Sequence, residues 1–360
     1  MVGKVKRGLL RHSKSITGNS RLLNSKSLKP QQTRQLIRRF HVLQKNRHLI
    51  LVKLLQIKKL TDSKEKEQRN EEERNEREEK VYDILKNNKQ YKAAYDAFKC
   101  PSKYADCEVY KIDSTVQDES MLIKTLAKID AEIEQRGGLS RYQIASTQGQ
   151  TGKRGGDSSK KLVEWLRTDE YNSKLQNVTA LEIGCLSTQN FITTSGIFSH
   201  IDRIDLNSQD PMILQQDFMK RDLPKSDKEK YNLISCSLVL NFVPSHEERG
   251  QMLKRITQFL KKPVASIDKS QQLQLQLRLR LLSSLFLVLP LPCVTNSRYL
   301  DKEHLLKIMK SLGFTQTFYH EAKKVAYWIF DWDGKIQKNA SFTKKELHSG
   351  SNRNNFCITL

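Results

Sequence analysis

The stretch that decides the fold reads Val178-Thr-Ala-Leu-Glu-Ile-Gly-Cys185. Its apolar run has the length of a buried strand, and the run closes with an acid, Glu182, and a glycine, Gly184. Glycine at the end of a strand lets the backbone approach a ligand closely. The stretch therefore predicts the first strand of an α/β sheet that carries a ligand site at its carboxyl end.

Strand and helix patterns alternate after this first strand. Further strands are predicted at residues 201–206, 212–214, 231–240, 284–291, 315–320 and 325–331, and helices at residues 160–166, 245–260 and 301–311. Such alternation is typical of a mostly parallel, doubly wound sheet, and the two adjacent last strands predict an antiparallel edge hairpin. The predicted fold class is α/β, with a mostly parallel sheet of seven strands.

Two further acids follow strand ends downstream of the glycine. Asp205 ends the second strand, 21 residues beyond Gly184, where a carboxylate accepts hydrogen bonds from a ribose diol. Asp217 follows the third strand. The dinucleotide pattern Gly-x-Gly-x-x-Gly is absent, and Leu186 replaces the second glycine of an acid-x-Gly-x-Gly turn. The arrangement of Glu182, Gly184, Asp205 and Asp217 resembles the S-adenosylmethionine pocket of class I methyltransferases.

The charge of the chain is concentrated at its amino-terminal end. The sequence has 63 Lys and Arg against 40 Asp and Glu, a net charge of +23, which predicts a polyanionic partner. Residues 1–61 hold 16 of these cations and no acid. From Leu36 to Leu55 the apolar residues recur at helical spacing, which predicts a basic amphipathic helix. RNA binding through phosphate contacts and nuclear targeting both fit this segment.

The composition divides the chain into four regions. The basic segment 1–61 is followed by a helical region, 62–136, that begins with a spacer of alternating charges at residues 62–80. A catalytic domain is predicted at 137–335, and residues 336–360 are predicted to be a basic, disordered tail. Within the domain, the low-complexity segment 264–284 is either a lineage-specific loop insertion or a gene-model artefact, and no function is assigned to it.

Several classes of protein are excluded. The chain has no apolar run of 18 residues and no secretory signal, so no membrane partner is expected. The glycine-rich loop 137–156 lacks the Walker spacing, which excludes nucleotide hydrolysis. No metal site is predicted, because the six cysteines form no CxxC pair and the eight histidines show no ligand grouping.

Longer strings carry a more specific resemblance. They are Thr33-Arg-Gln-Leu-Ile-Arg-Arg-Phe-His41, Arg141-Tyr-Gln-Ile-Ala-Ser-Thr-Gln-Gly149 with Gly155-Gly-Asp-Ser-Ser-Lys160, Leu181–Cys185 with Arg203–Asn207, and Ser237–Pro244 with Phe286–Arg298. With them the chain resembles the fungal nucleolar methyltransferases that make N1-methyladenosine in 25S, large-subunit ribosomal RNA. The resemblance implies S-adenosylmethionine as cofactor, held at Gly184 and Asp205. It also implies a location in the nucleus and nucleolus, and large-subunit rRNA or a pre-ribosomal particle as partner. We expect a monomer.

The segment Asn241-Phe-Val-Pro244 follows the long predicted strand, where class I enzymes place the target base. We expect Asn241 to contact the edge of the base and Phe242 to stack on it. The alternative is that Phe242 belongs to the core and Asn241 forms a turn. N1 of adenine has its own lone pair, so no strong general base is required. Since N1 lies on the Watson–Crick edge, the target must be unpaired or extruded.

Two other functions compete with the enzyme. One is an adaptor that senses S-adenosylmethionine without transferring a methyl group, and it would use the same Gly184 and Asp205. The other is a ribosome-assembly factor with a degenerate pocket, which the missing second glycine keeps open. The acid-free basic segment 1–61 favours the enzyme, because an RNA-modifying enzyme needs such a segment and a protein adaptor does not.

Overall fold

A seven-stranded sheet forms the centre of the chain from residue 177 onward. The computed structural model describes residues 30–61, 81–100, 110, 118–138, 141–142, 145, 157–172, 175, 177–208, 210–263, 282–338 and 340–360. The strands are β1 (Thr179–Ile183), β2 (His200–Asp205), β3 (Leu214–Gln215), β4 (Leu233–Ser237), β5 (Ser284–Pro290), β6 (Phe314–Glu321) and β7 (Val325–Trp332). Their order in the sheet is β3-β2-β1-β4-β5-β7-β6.

The direction of the strands confirms the predicted fold class. The first five strands pair in parallel, whereas β7 runs antiparallel to both β5 and β6. A parallel sheet with this strand order and a reversed β7 is the arrangement of class I methyltransferases. Strand order reverses between β1 and β4, and in open α/β sheets ligands bind at the carboxyl ends of strands at such a switch point.

Several helices accompany the sheet in the part of the chain that the structure describes. They are α1 (Pro30–Thr61), α2 (Lys89–Ala97), α3 (Glu119–Gln135), α4 (Ser159–Leu166), α5 (Asp169–Asn172), α6 (Phe191–Thr194), α7 (His246–Phe259), α8 (Pro292–Thr295) and α9 (Lys302–Ser311). A capping box starts α7, since the Ser245 hydroxyl accepts from the Glu248 amide at 3.0 Å and the Ser245 amide donates back to the Glu248 carboxylate. The sequence therefore fixes where the helix after β4 begins.

The core lies on both faces of the sheet. On β5, Leu285, Leu287 and Leu289 join the buried cluster that includes α7 and α9, whereas Phe286 and Val288 join the cluster that includes α4. Successive side chains of a strand point to opposite faces, so a strand covered on both sides has a continuous apolar run. This explains why 284–291 is apolar without alternation.

The amino-terminal region packs as a helical layer through buried ion pairs. The basic helix predicted from Leu36 to Leu55 is confirmed as part of α1, which packs on α3. Arg39, only 6% exposed, donates to both oxygens of Glu132 at 2.7 and 2.8 Å. Arg47 donates to Asp130 at 2.8 Å. These two arginines of the basic segment therefore bind acids of the same chain.

The prediction of a disordered tail at 336–360 is wrong. Phe356, Cys357 and Ile358 are buried, and Phe356 and Ile358 belong to the same cluster as β1 and β4. The segment passes so close to α7 that a Cβ on Gly250 would lie 1.8 Å from the carbonyl oxygen of Thr359. The apolar residues of this segment are few and lie close to its carboxyl-terminal end, so they form no periodic pattern. For this reason the sequence suggested disorder.

Two predicted boundaries also shift. The strand predicted at 231–240 is the central strand β4, but it ends at Ser237, because Leu238 adopts a left-handed backbone with φ +57°. The predicted insertion 264–284 is too long at its end, since Leu282 is buried and Ser284 begins β5. The remainder of that insertion, residues 1–29, the spacer 62–80 and most of the glycine-rich loop lie outside the described residues. No helix in the described part of the chain could cross a membrane.

A conservative substitution tests the packing of the carboxyl-terminal segment. We expect Ile358→Val to lower the free energy of unfolding by about 0.5–1.5 kcal/mol, because Ile358 is fully buried and the lost methylene leaves a cavity. Ile336→Val is the matched control, since Ile336 is 45% exposed in the same segment. Urea unfolding of both variants measures the difference, and equal stabilities would contradict a packed segment.

Candidate active site

The carboxyl ends of β1, β2 and β4 bring three predicted site segments together. Ile183 pairs with Ile204 and with Cys236, so the Gly184 turn lies between Asp205 and the segment that follows β4. The amide of Gly184 donates to the carbonyl of Ile204 at 2.8 Å. The predicted pair Gly184 and Asp205 is therefore adjacent in the sheet.

Gly184 occupies a position that only glycine fits. Its φ is +73°, and a Cβ there would lie 2.5 Å from Cγ2 of Val239. A non-glycine residue in this left-handed conformation is strained by about 1–2 kcal/mol. Glycine thus lets the β1 turn touch the loop after β4, which leaves backbone groups of both segments at one edge of the sheet.

Glu182 is buried beside this turn and is only partly hydrogen-bonded. Its Oε1 accepts from Nδ2 of Asn190 at 2.6 Å, and its Oε2 has no hydrogen-bond partner among the described residues. Burial, and to a lesser degree the charge of Asp157, raises the pKa of the Glu182 carboxyl. A buried acceptor without a donor is costly, so Oε2 marks a place where a ligand donor would be stabilised.

The structure adds Asp157 and Ser158, which the sequence analysis quoted only within the string Gly155–Lys160. Asp157 accepts from the Ser159 amide at 2.9 Å and from the Phe191 amide at 2.5 Å, and so links α4 to α6. The Ser158 hydroxyl lies 2.7 Å from that of Ser237, the last residue of β4. Their position in the string Gly155–Lys160 was the signal that could have placed them at this edge.

Asp205 and Asp217 follow neighbouring parallel strands. Oδ1 of Asp205 accepts from the Asn207 amide at 2.9 Å, which holds the turn after β2. The next residue, Leu206, is apolar and 65% exposed, and the sequence analysis did not single it out. Asp217 lies two residues beyond β3, where its Oδ1 accepts from the Met219 amide at 2.8 Å. Asp217 therefore lies on the same side as Asp205 but further toward the edge of the sheet.

The loop after β4 holds Asn241 and Phe242 at this edge. Its first residue, Leu238, is a non-glycine residue in the left-handed region, a strain that clusters at ligand sites. Oδ1 of Asn241 is buried without a hydrogen-bond partner among the described residues. Phe242 is half-buried, and its ring centroid lies 3.9 Å from that of His41 and 5.7 Å from that of Tyr142.

Arg249 fixes the far end of the same loop. Its guanidinium donates to the carbonyls of Val243 at 3.0 Å and Pro244 at 3.2 Å, and also to that of Cys357 at 2.8 Å. The side chain is 7% exposed and lies over the ring of Phe356, 4.5 Å from its centroid. The carboxyl-terminal segment therefore helps to hold the loop that carries Asn241, a connection that the sequence did not reveal.

These residues fit an adenosine with a charged sulfonium side chain. Asp205 stands where a ribose diol is bound in sheets of this order, and exposed Leu206 offers an apolar surface for a purine. The glycine turn admits close backbone approach, and the unpartnered oxygen of Glu182 offers an acceptor. Among the described residues no group of three or more His, Cys, Asp or Glu is placed to hold a metal ion.

Comparison with known proteins gives one family. The family model described as "25S rRNA (adenine(2142)-N(1))-methyltransferase, Bmt2" matches residues 127–358, more than half of the chain. A Saccharomyces cerevisiae protein named 25S rRNA (adenine(2142)-N(1))-methyltransferase is 35% identical over 369 residues, which cover 97% of this chain and 99% of that protein. The chain belongs to this methyltransferase family.

A second relative agrees with this membership in the family. A Schizosaccharomyces pombe protein named 25S rRNA adenine-N(1) methyltransferase is 39% identical over 240 residues, 66% of this chain and 82% of that protein. A solved S-adenosylmethionine-dependent methyltransferase from Clostridium acetobutylicum aligns at 11% identity and a TM-score of 0.37, over 54% of this chain and 99% of that one. The family model begins within α3, whereas the alignment with the S. cerevisiae protein covers nearly the whole chain.

Proposed function

We propose that this protein transfers a methyl group from S-adenosylmethionine to N1 of an adenine in large-subunit ribosomal RNA. The observation that carries the proposal is the buried Oδ1 of Asn241, which has no hydrogen-bond partner in the described part of the chain. Asn241 lies in the loop that touches the Gly184 turn through Val239. That contact supports a role for Asn241 as an acceptor for a base next to the predicted cofactor turn. Membership in the family supplies the reaction and the class of substrate.

The cofactor would be held by residues of β1, β2 and their turns. S-adenosylmethionine supplies an electrophilic methyl group when it is bound. The Gly184 turn would offer backbone groups to its amino-acid part, and Glu182 an acceptor for its ammonium group. A carboxylate accepts several hydrogen bonds, so Asp205 can hold the Asn207 amide and also the ribose hydroxyls. Leu206 would pack on the adenine ring of the cofactor, and Asp217 would lie at the edge of that ring.

The target adenine would lie against the loop after β4. Its N1 lone pair is the nucleophile, so the protein has to align the base and needs no strong base. The exocyclic amine of adenine would donate to Oδ1 of Asn241, and Phe242 would stack on the ring. Both contacts require that the base has left its stack and pairing partner, as enzymes acting on a base require. They also orient N1 toward the methyl group.

Removing the Asn241 amide tests the contact with the base. We expect Asn241→Ala to lower kcat/KM for rRNA about 10- to 100-fold, because one hydrogen bond at a buried site is worth roughly 1–3 kcal/mol. The Kd for S-adenosylmethionine should stay unchanged. Asn172→Ala, at an exposed position in α5, is the matched control. Full activity of Asn241→Ala would remove this residue from the proposed site.

Binding to RNA should depend strongly on salt. Residues 1–29 hold eight Lys and Arg and no acid, and phosphate contacts of single strands each contribute about −0.7 to the slope of log K against log salt. We expect a chain lacking residues 1–29 to bind rRNA with a flatter slope in a filter-binding titration. An unchanged slope would show that this segment makes no phosphate contacts.

The same basic segment supports the proposed location and partner. We propose that the protein works in the nucleolus, as a monomer, on large-subunit rRNA or a pre-ribosomal particle during ribosome biogenesis. Two of the eight cations in α1, Arg39 and Arg47, are occupied by Glu132 and Asp130. Residues 1–29 are therefore a better candidate for the RNA contacts than the whole segment 1–61.

A further inference from the structure

An aromatic cluster joins α1 to the loop after β4. The ring centroids of His41 and Phe242 are 3.9 Å apart with an interplanar angle of 37°. Tyr142 meets both rings edge-on, at 5.8 Å from His41 and 5.7 Å from Phe242. Phe40 stacks on Tyr142 at 4.4 Å. The helix at the amino-terminal end thus reaches the residue that we propose to stack on the target base.

The cluster unites three strings that the sequence analysis quoted separately. Phe40 and His41 end the string that begins at Thr33, Tyr142 belongs to the string 141–149, and Phe242 belongs to the string 237–244. The proposed function uses only Phe242. Periodicity along α1 explains Leu36 and Leu43 as core positions, but it gives no reason for a histidine at 41. The contact with Phe242 supplies one.

Buried contacts hold α1 in the place from which His41 reaches the loop. Arg39 and Arg47 bind Glu132 and Asp130 of α3, as described above. About two turns beyond His41, Nε2 of His48 lies 3.7 Å from the Glu248 carboxylate at the start of α7. His41 is therefore presented to Phe242 by a helix that is tied both to α3 and to the catalytic domain.

The chemistry of His41 suits a neutral ring-packing role. Burial lowers the pKa of His41 to about 4, so the imidazole is uncharged near neutral pH. A neutral imidazole packs on an aromatic ring without placing a positive charge there. Methylation at N1 makes the base cationic, and an imidazolium next to its stacking partner would oppose that charge.

We propose that His41 is a positioning residue of the methyl-transfer site, which packs on Phe242 and fixes the ring on which the target adenine stacks. This inference rests on the proposed function of Phe242. An aromatic side chain on a loop has several rotamers open to it unless neighbours pack against it. His41 and Tyr142 restrict those rotamers before the base arrives. The helix α1 is then part of the active site as well as part of the basic segment.

The test compares substitutions that separate volume from aromatic packing. The full-length variants are His41→Phe, His41→Leu, His41→Ala, Phe242→Ala and the double variant His41→Ala with Phe242→Ala. Leu49→Ala is the matched control on the same helix, since Leu49 is 39% exposed. Methyl transfer to rRNA from cells lacking this protein gives kcat and KM, calorimetry gives the Kd for S-adenosylmethionine, and thermal unfolding reports folding.

We expect His41→Ala and His41→Leu to lower kcat roughly 5- to 10-fold, the scale of one aromatic pair, and His41→Phe to stay within about twofold. The Kd for S-adenosylmethionine and the activity of Leu49→Ala should not change. The double variant should be no slower than Phe242→Ala, because both changes remove the same contact. If His41→Ala does not fold, the comparison of kcat between His41→Leu and His41→Phe tests the inference instead.

Two results would overturn the inference in distinguishable ways. Equal kcat for wild type, His41→Leu and His41→Phe, with Phe242→Ala impaired, would reject the role of His41 and leave the proposed function of Phe242 intact. Full activity of Phe242→Ala would reject the stacking role itself, and the role of His41 with it. Additive effects in the double variant would also reject the inference, since the two residues would then act independently.

Discussion

Gly184→Arg is expected to abolish methyl transfer together with binding of S-adenosylmethionine, while the sheet stays folded. The backbone at Gly184 has φ +73°, and any Cβ there would lie 2.5 Å from the side chain of Val239. The strain of this conformation, roughly 1–2 kcal/mol, is small beside the stability of a domain of this size. The larger effect is local, because an arginine side chain would fill the turn that the cofactor must approach. We expect kcat/KM to fall by more than about 100-fold.

Gly196→Arg is the matched control for this experiment. Gly196 has nearly the same φ, +71°, but no atom lies within 4 Å of its Cβ position. The control therefore carries the backbone strain without the collision. Mass spectrometry of N1-methyladenosine in large-subunit rRNA, from cells with each variant, measures the activity, and calorimetry with S-adenosylmethionine measures binding.

The same pair of measurements separates the enzyme from the sensing adaptor. An unchanged level of N1-methyladenosine, with a stable Gly184→Arg protein that no longer binds S-adenosylmethionine, would favour the adaptor. Loss of both the mark and the binding is the expected result, in keeping with membership in the methyltransferase family. Retention of both would contradict the assignment of the cofactor to the Gly184 turn.

The sequence predicts well that Gly184 and Asp205 are neighbours, because that arrangement depends on local pattern. An apolar strand closed by Gly184, and an acid 21 residues later, are short-range features that parallel pairing then places side by side. The loop after β4 is also predicted from its position behind a central strand. The contact of this loop with α1 is not predicted from the sequence, since His41 and Phe242 are far apart in the chain and no periodicity connects them.

Long-range packing also explains contacts of α1 that the sequence did not predict. The cations of α1 suggested RNA contacts, yet Arg39 and Arg47 bind acids of α3 that are far along the chain. Glu132 lies in a helix whose apolar face is evident from the sequence, and a charged residue next to that face is ambiguous by itself. Only the position of Arg39 shows that Glu132 is buried and paired.

The second large effect that we expect is a loss of stability in the amino-terminal helical layer when this buried ion pair is broken. Glu132 is fully buried and accepts from Arg39, from Nε of Arg136 at 2.7 Å and from the Tyr110 hydroxyl at 3.0 Å. Glu132→Ala would leave two guanidinium groups, 6% and 5% exposed, without their carboxylate. Removing one partner of a buried ion pair costs roughly 3–5 kcal/mol. We expect a loss of that size in the free energy of unfolding, measured with urea.

The dependence of this stability on pH follows from the same contacts. The hydrogen bonds and charges of the two arginines outweigh burial and hold the pKa of Glu132 below its ordinary value. A carboxyl whose pKa is lowered on folding stabilises the fold above its unfolded pKa. That contribution is lost as the pH falls through the lowered pKa. Glu132→Ala should therefore flatten the acid limb of the stability curve, whereas Glu134→Ala, at the exposed face of α3, should not.

A triple replacement separates charge from packing and connects stability with activity. Arg39→Met, Glu132→Leu and Arg136→Met together remove every charge of the cluster while keeping its volume, and such a change is often neutral for a buried ion cluster. We expect the triple variant to recover most of the stability that Glu132→Ala loses, since no buried guanidinium is left without the Glu132 carboxylate. Because His41 is two residues from Arg39 on α1, we expect methyl transfer by the triple variant to recover together with its stability. A stable triple variant with no activity would mean that the arginines act on the RNA as well as on Glu132.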